Sequence, residues 1–174
     1  PAERRPLIAY PAVERIREAG FPDNVLQFLP GDGAVVGAAL AAHPDIQRVC
    51  FTGSTETAQR IARSMAENAD PEAPLIAETG GLNAMIVDSS ALPEQVTDDV
   101  MISSFSSAGQ RCSALRVLFV QDSIADHVIE MLKGALAERK IGDPANPATD
   151  VGPAIDEKAA AGVTAHLTRL ETEE

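Results

Sequence analysis

The chain has 174 residues, 45% of them hydrophobic but only 3% aromatic and none of them Trp, so any core must be aliphatic. Fourteen Lys and Arg against 26 Asp and Glu leave a net charge of −12, which repels phosphate backbones and anionic lipid surfaces and argues against nucleic-acid and membrane partners. No apolar run approaches the roughly 18 residues of a membrane span, nothing reads as a signal peptide, and two distant cysteines without metal-type spacing suit a reducing cytoplasm with no bound metal.

In chain order, the hydrophobic periodicities predict a helix over 7–19, stopped by Gly20-Phe21-Pro22, and then a strand over 25–29. A helix over 34–42, a strand over 48–52 and a helix over 56–67 follow. Strands are expected over 75–77, 84–88 and 115–121, with helices over 93–106 and 123–138, and Pro93 suits a helix first turn. Residues 142–153, with Pro144, Pro147 and Pro153, read as a long irregular connection. A helix over 156–170 leads into an acidic tail, 171–174, expected to be solvated. Alternation at this spacing argues for an α/β protein with mostly parallel strands, without repeats or low-complexity tracts.

Chemistry-bearing residues cluster where strands hand over to loops. Pro30-Gly31-Asp32-Gly33-Ala34-Val35-Val36-Gly37 follows a strand and opens a helix, but its G-x-G-x-x-x-G spacing is one residue longer than a dinucleotide fingerprint, and no acid closes the next strand. Alone it is a turn and helix start. Gly53 permits close backbone approach after the next strand, and Ser54 offers a hydroxyl beside free helix-start amides that favour an anion. The competing reading of Ser54 is a plain helix cap. Cys50, between Val49 and Phe51 in a strand, is expected to be a small buried hydrophobe. Cys112 lies instead in a polar loop, Ser106-Ser107-Ala108-Gly109-Gln110-Arg111-Cys112-Ser113, where Arg111 can favour a thiolate. Glu78 follows the short apolar strand 75–77 and precedes Thr79-Gly80-Gly81, a placement in which apolar surroundings can raise a carboxylate's pKa towards that of a useful base, the alternative being an exposed loop acid. Taken alone, Cys112 could equally be a structural or incidental cysteine, but a thiolate and a base of this kind are what covalent catalysis requires.

Taken together, Phe51-Thr52-Gly53-Ser54-Thr55, Glu78-Thr79-Gly80-Gly81 and Gly109-Gln110-Arg111-Cys112 resemble, in order, the motifs of the aldehyde dehydrogenase superfamily. The 34-residue interval from Glu78 to Cys112 fits that pattern, as do Pro1-Ala2-Glu3, Gly142-Asp143-Pro144 and Asp150-Val151-Gly152-Pro153. Within the superfamily, residues 77–92 and 107–116 look most like the Δ1-pyrroline-5-carboxylate dehydrogenase module of bacterial bifunctional proline-utilization proteins, with Thr79 standing where most relatives have leucine.

The resemblance implies an aldehyde dehydrogenase-like α/β fold, with residues 1–81 the second part of a Rossmann-type NAD-binding domain. Residues 82–174 would be the first part of the catalytic domain, both domains being incomplete. It implies that Cys112 is the nucleophile and Glu78 the base, and that Glu3, Gly33, Gly53, Ser54, Thr79 and Gly80 bind the cofactor. Ser113 would contact the substrate carboxylate. The implied cofactor is NAD rather than NADP, with FAD confined to a separate proline dehydrogenase module. The implied reaction oxidises L-glutamate γ-semialdehyde to L-glutamate in proline catabolism, in a cytoplasmic homo-oligomer whose partner is the small aldehyde. One departure is that Glu3 is followed by Arg4, Arg5 and Pro6 where the family usually has Gln-Thr-Pro. The family's cofactor lysine and oxyanion asparagine are expected before Pro1, and its second ribose-binding glutamate, substrate anchor loop and oligomerisation strands after residue 174, so the 174 residues alone are expected to be inactive.

Rival readings are a dehydrogenase for another aldehyde, a thiol acyltransferase or hydrolase, and a non-enzymatic fragment. The second needs a histidine partner, yet His43, His127 and His166 all fall on or beside predicted helices, away from the motif loops.

Overall fold

A computed structural model describes residues 1–69 and 72–173. The chain divides into two compact units, Pro1–Thr79 and Gly80–Glu174, a boundary two residues before the one expected from the motifs.

The first unit opens with helix α1 (Pro6–Glu18), which has Pro6 in its first turn and ends before Gly20, whose φ of +96° suits glycine. The residues after it, 25–29, are not a strand. Among the described residues no strand pairs with this segment, and β1 (Val49–Thr52) pairs there only with β2 (Leu75–Glu78). Local contacts hold the segment instead. Val25 N–H donates to the Pro22 carbonyl at 3.0 Å, Arg17 Nη2 donates to the Leu26 carbonyl at 3.3 Å, and Phe28 meets Tyr10 edge-on at 5.8 Å between ring centroids.

The helix expected over 34–42 begins as a π-turn, Gly33–Gly37, and becomes α-helical only over α2 (Ala38–Ala41). The widened turn, with Ala38 N–H reaching back to the Gly33 carbonyl, accommodates an extra residue in the helix-opening segment, where the sequence carries one more residue than the dinucleotide spacing. β1 and β2 are parallel, in register from Val49–Leu75 to Thr52–Glu78, and are joined through α3 (Thr55–Asn68). Ala58 and Met65 on α3 and Ala41 on α2 form the buried surface of this unit. Along β1, Val49 and Phe51 are half-buried, whereas Cys50 and Thr52 are exposed. Cys50 is therefore not a core residue: it lies on the β1 face opposite Phe51, and that face is left uncovered.

The second unit repeats the strand–helix–strand plan. β3 (Asn83–Val87) pairs in parallel with β4 (Leu115–Val120), and α4 (Pro93–Phe105) connects them. With α5 (Asp122–Ala137), α4 covers one face of this pair, so that Val87, Val96, Val100, Leu115 and Val128 form an aliphatic cluster. The opposite face exposes Ile86 and Phe119. The pairing is interrupted near its start, where Asn83 opposes Leu115 but Ala84 opposes Val117. Arg116 is the extra residue of a β-bulge, and it switches the buried positions of β4 from Leu115 to Leu118 and Val120.

Residues 142–153 are irregular as expected, but closed. Ile141 bridges Val151, and Asp150 Oδ2 accepts Lys140 N–H at 2.9 Å. The last helix, α6 (Glu157–Glu173), runs through most of the expected acidic tail, supported by an Arg169–Glu173 ion pair and by Thr172 Oγ1 donating to the Arg169 carbonyl at 2.8 Å. Glu174 lies outside the described residues.

Candidate functional site

The first unit holds a cavity of about 580 Å³. Glu3, Gly33 and Gly37 line one side of it, and Phe51, Thr57, Arg60 and Ile61 another. Glu3 Oε1 accepts the Gly33 N–H at 2.6 Å, and Asp32 caps the same turn by accepting Ala34 N–H at 2.7 Å. A Cβ on Gly33 would lie 2.9 Å from Glu3 Oε1, so the glycine is what lets the carboxylate approach the turn. Arg60 faces the cavity but is paired with Glu56 one turn earlier.

Gly53 and Ser54 lie at the end of β1, beside rather than within this cavity lining. A Cβ on Gly53 would fall 2.4 Å from Phe51 Cζ, which makes glycine the fitting residue there. Ser54 is the N-cap of α3: its Oγ accepts Thr57 N–H at 3.2 Å and lies 2.9 Å from Thr57 Oγ1. Ser54 is thus a helix cap, and the other amides of the first turn have no intrahelical acceptor. Glu78 is the last residue of β2 rather than the first after it, and its carbonyl accepts Gly53 N–H at 3.1 Å. The apolar enclosure expected around its side chain is not formed: Glu78 is exposed. Thr79 is half-buried and Gly80 exposed, with open space where a Gly80 side chain would begin.

Cys112 belongs to the second unit, in the loop between α4 and β4. That loop departs from ordinary backbone. Ser107, Ala108 and Gly109 have φ of 55°, 54° and 66°, three consecutive residues in the left-handed region, only one of them glycine. Such a turn persists only where its surroundings determine it. Here Arg116, the bulged residue of β4, donates through Nη2 to the Gly109 carbonyl at 2.7 Å. Gln110 Nε2 donates to the Ser107 carbonyl at 3.2 Å and the Pro153 carbonyl at 3.4 Å, while its Oε1 accepts Ile155 N–H at 2.7 Å. Arg111 does not turn to the thiol; its Nε donates to Ser107 Oγ at 3.2 Å, bracing the same turn. Beyond the thiol, Asn83 Nδ2 donates to the Cys112 carbonyl at 2.7 Å and to the Ala114 carbonyl at 2.9 Å. Cys112 and Ser113 stay exposed, whereas Ala114 is buried. The loop thus presents a free thiol on a backbone fixed on both sides.

The arrangement groups Glu3 with Gly33, and Glu78 with Gly53 through the backbone, within one unit, and places Cys112 and Ser113 in the other. Asn83, Gln110 and Arg116 were not singled out by the sequence reading. The one available signal for Arg116 was the broken alternation Leu115, Leu118, Val120, which marks a bulge.

The family model described as the aldehyde dehydrogenase family matches residues 1–174. The bifunctional protein PutA of Escherichia coli K12 is 53% identical over 175 residues, covering 99% of this chain and 13% of that protein. A solved structure of a Bradyrhizobium japonicum proline utilization A (PutA) variant is 57% identical and superposes with a TM-score of 0.92, over 99% of this chain and 18% of that one. A 1-pyrroline-5-carboxylate dehydrogenase from Thermus, solved with bound NAD, is 32% identical with a TM-score of 0.87, over 97% of this chain and 33% of that one. The chain therefore spans less than a fifth of the length of these PutA proteins.

Proposed function

Because the chain belongs to the aldehyde dehydrogenase family, we propose that it carries the nucleophile and the base of an enzyme oxidising L-glutamate γ-semialdehyde, the open form of Δ1-pyrroline-5-carboxylate, to L-glutamate. The observation that carries this reading is the exposed Cys112 thiol on a loop whose backbone is fixed before and after it. The likeness to PutA proteins and to a 1-pyrroline-5-carboxylate dehydrogenase supports this choice of substrate.

In this reading, the Cys112 thiolate attacks the aldehyde carbon, a C–S bond forms, and the carbonyl π electrons move to oxygen, giving a thiohemiacetal. A bound nicotinamide supplies the acceptor for the hydride that leaves this carbon. As the C=O bond reforms, the carbon stays joined to Cys112 as a thioester. Glu78 then takes a proton from water, the water oxygen attacks the thioester carbon, and the Cys112 thiolate departs, releasing the carboxylic acid. Ser113, next to the nucleophile, donates a hydrogen bond to the substrate's carboxylate.

The residues of the first unit fit a dinucleotide. The cavity is of small-ligand size. Glu3, held by Gly33 through one oxygen, keeps the other for ribose hydroxyls. The helix start at Ser54, beside Gly53, would face the pyrophosphate, and Thr79, with Gly80 at the start of the second unit, would contact the nicotinamide part. We favour NAD over NADP because a ribose phosphate would meet the Glu3 carboxylate, while Arg60 is already paired with Glu56. FAD would belong to a proline dehydrogenase module outside these residues, and we place the enzyme in the cytoplasm as a homo-oligomer.

Cys112→Ala in the full-length protein tests the central claim. NADH formation from the semialdehyde should be abolished while NAD⁺ affinity stays near wild type. Turnover within about tenfold of wild type would remove Cys112 from the mechanism.

A further inference from the structure

We propose that Asn83 is a positioning residue for the Cys112 nucleophile, acting through its single side-chain nitrogen on the two carbonyls that flank Ser113. The inference deepens the reading of Cys112 as nucleophile and rests on it. Asn83 Nδ2 carries two hydrogens, and both are used, at 2.7 Å to the Cys112 carbonyl and 2.9 Å to the Ala114 carbonyl. Cys112 and Ser113 form a turn with no ladder partner of their own. Pulling both carbonyls to one donor fixes the peptide planes after Cys112 and after Ala114, and with the first of them the direction of the Cys112 Cα–Cβ bond.

The surroundings are arranged around that bond pair. Asn83 is the first residue of β3, opposite Leu115, at the place where Arg116 bulges out of the ladder. The ladder irregularity thus lies beside the clamp. Gly81 runs alongside the clamp: a Cβ there would sit in ordinary contact with it, 3.4 Å from Asn83 Oδ1 and 3.9 Å from the Cys112 carbonyl oxygen. Before the thiol, Arg116 holds Gly109. The nucleophile loop is thereby gripped from the β4 bulge on its entry side and from the β3 start on its exit side. Attack on an aldehyde needs the sulfur placed to within a fraction of an ångström, and a misplacement of about 1 Å costs on the order of 100-fold in rate.

Asn83→Asp tests the assignment, because the carboxylate has the same shape but no hydrogen to donate, and it repels both carbonyls. In the full-length protein, single-turnover NADH formation should fall about 10- to 100-fold, with NAD⁺ affinity within about twofold of wild type. Alkylation of Cys112 by iodoacetamide, followed by mass spectrometry, should change in rate while the melting temperature stays close to wild type. Asn83→Ser, which keeps one donor, should recover part of the lost rate and decides the matter if Asn83→Asp does not fold. Single-turnover rates within about twofold of wild type in the folded variants would overturn the proposal, as would a rate loss accompanied by an equal loss of NAD⁺ binding. Cys112→Ala is run alongside. If it stays active, the reading of Cys112 itself fails; if it is inactive and Asn83→Asp is normal, only the role given to Asn83 fails.

Discussion

At the scale of single residues, the motif positions were readable because each combines a distinctive residue type with a strand end or a loop. Cys112 and Glu78, each of which taken alone could be an incidental loop residue, were selected through the resemblance of their motifs to a known family. Asn83 and Arg116 could not, because their roles come from hydrogen bonds to backbone atoms of the Cys112 loop, and in one case from a bulge that only the paired strands reveal. Ser54 shows the reverse: its helix-cap role was as evident from the sequence as its anion-site role, and the hydrogen bond to Thr57 establishes the first directly. Two predictions belong at this scale. Glu78→Gln keeps the shape of the base but cannot accept a proton from water, so acylation should survive while thioester hydrolysis slows. Rapid mixing should show a burst of NADH followed by a slow steady state, and wild-type steady-state turnover would exclude Glu78 as the required base. The second concerns Ala108, which holds φ at 54° with a side chain that makes this conformation costly. Ala108→Gly should stabilise the protein by about 1 kcal/mol in urea unfolding, and a destabilisation would show that the left-handed turn is not a source of strain.

At the scale of elements, both strand–helix–strand units were legible, because long periodic helices and apolar strands carry their own signal. The strand expected over 25–29 failed for a reason that periodicity cannot contain: a strand requires a neighbour, and the segment is held to α1 instead, by Phe28 against Tyr10 and by Arg17 on the Leu26 carbonyl, while Val25 and Leu29 stay exposed. The π-turn at Gly33–Gly37 was visible only as one residue too many in a glycine pattern. A finer feature joins β3 to α4. The Asp88 carboxylate accepts a hydrogen bond from the Ser90 hydroxyl at 2.6 Å and another from the Ser90 N–H at 2.9 Å. The Ser90 hydroxyl first, and then the backbone N–H groups, hold the Asp88 pKa below its ordinary value of 3.8. A carboxylate with a lowered folded-state pKa stabilises the fold above its unfolded value and loses that contribution as the pH falls through the folded value. Ser90→Ala removes the largest cause, so the Asp88 titration followed by carbon NMR should move up towards 3.8. An unmoved midpoint would mean that the backbone donors alone set it.

At the scale of the whole chain, its charge, aliphatic composition and the absence of a helix long and apolar enough to cross a membrane among the described residues narrow the setting without identifying a reaction. What the composition could not convey is how much apolar surface these 174 residues leave open. Among the described residues each unit contains a sheet of two strands, and two-stranded sheets are marginal unless something packs on them. The second sheet has α4 and α5 on one face and leaves Ile86 83% and Phe119 57% exposed on the other. In the first unit, Ile76 is 56% exposed on β2 and Cys50 lies bare on β1. Outer strand edges in both sheets also offer unpaired backbone groups, which are templates for pairing with other chains. Expressed alone, the 174 residues should therefore self-associate and bind a hydrophobic dye, as sedimentation velocity and fluorescence would record. They should also turn over little or no semialdehyde. In the proposed mechanism, attack by Cys112 would build negative charge on the aldehyde oxygen, and the asparagine donor that the family resemblance implies elsewhere in the full-length protein would be worth about 10²–10³ in rate. A monodisperse monomer working at the rate of the full-length protein would show that Cys112 and Glu78 need neither that donor nor a cover for these faces, and would locate the oxyanion-stabilising groups within residues 1–174 themselves.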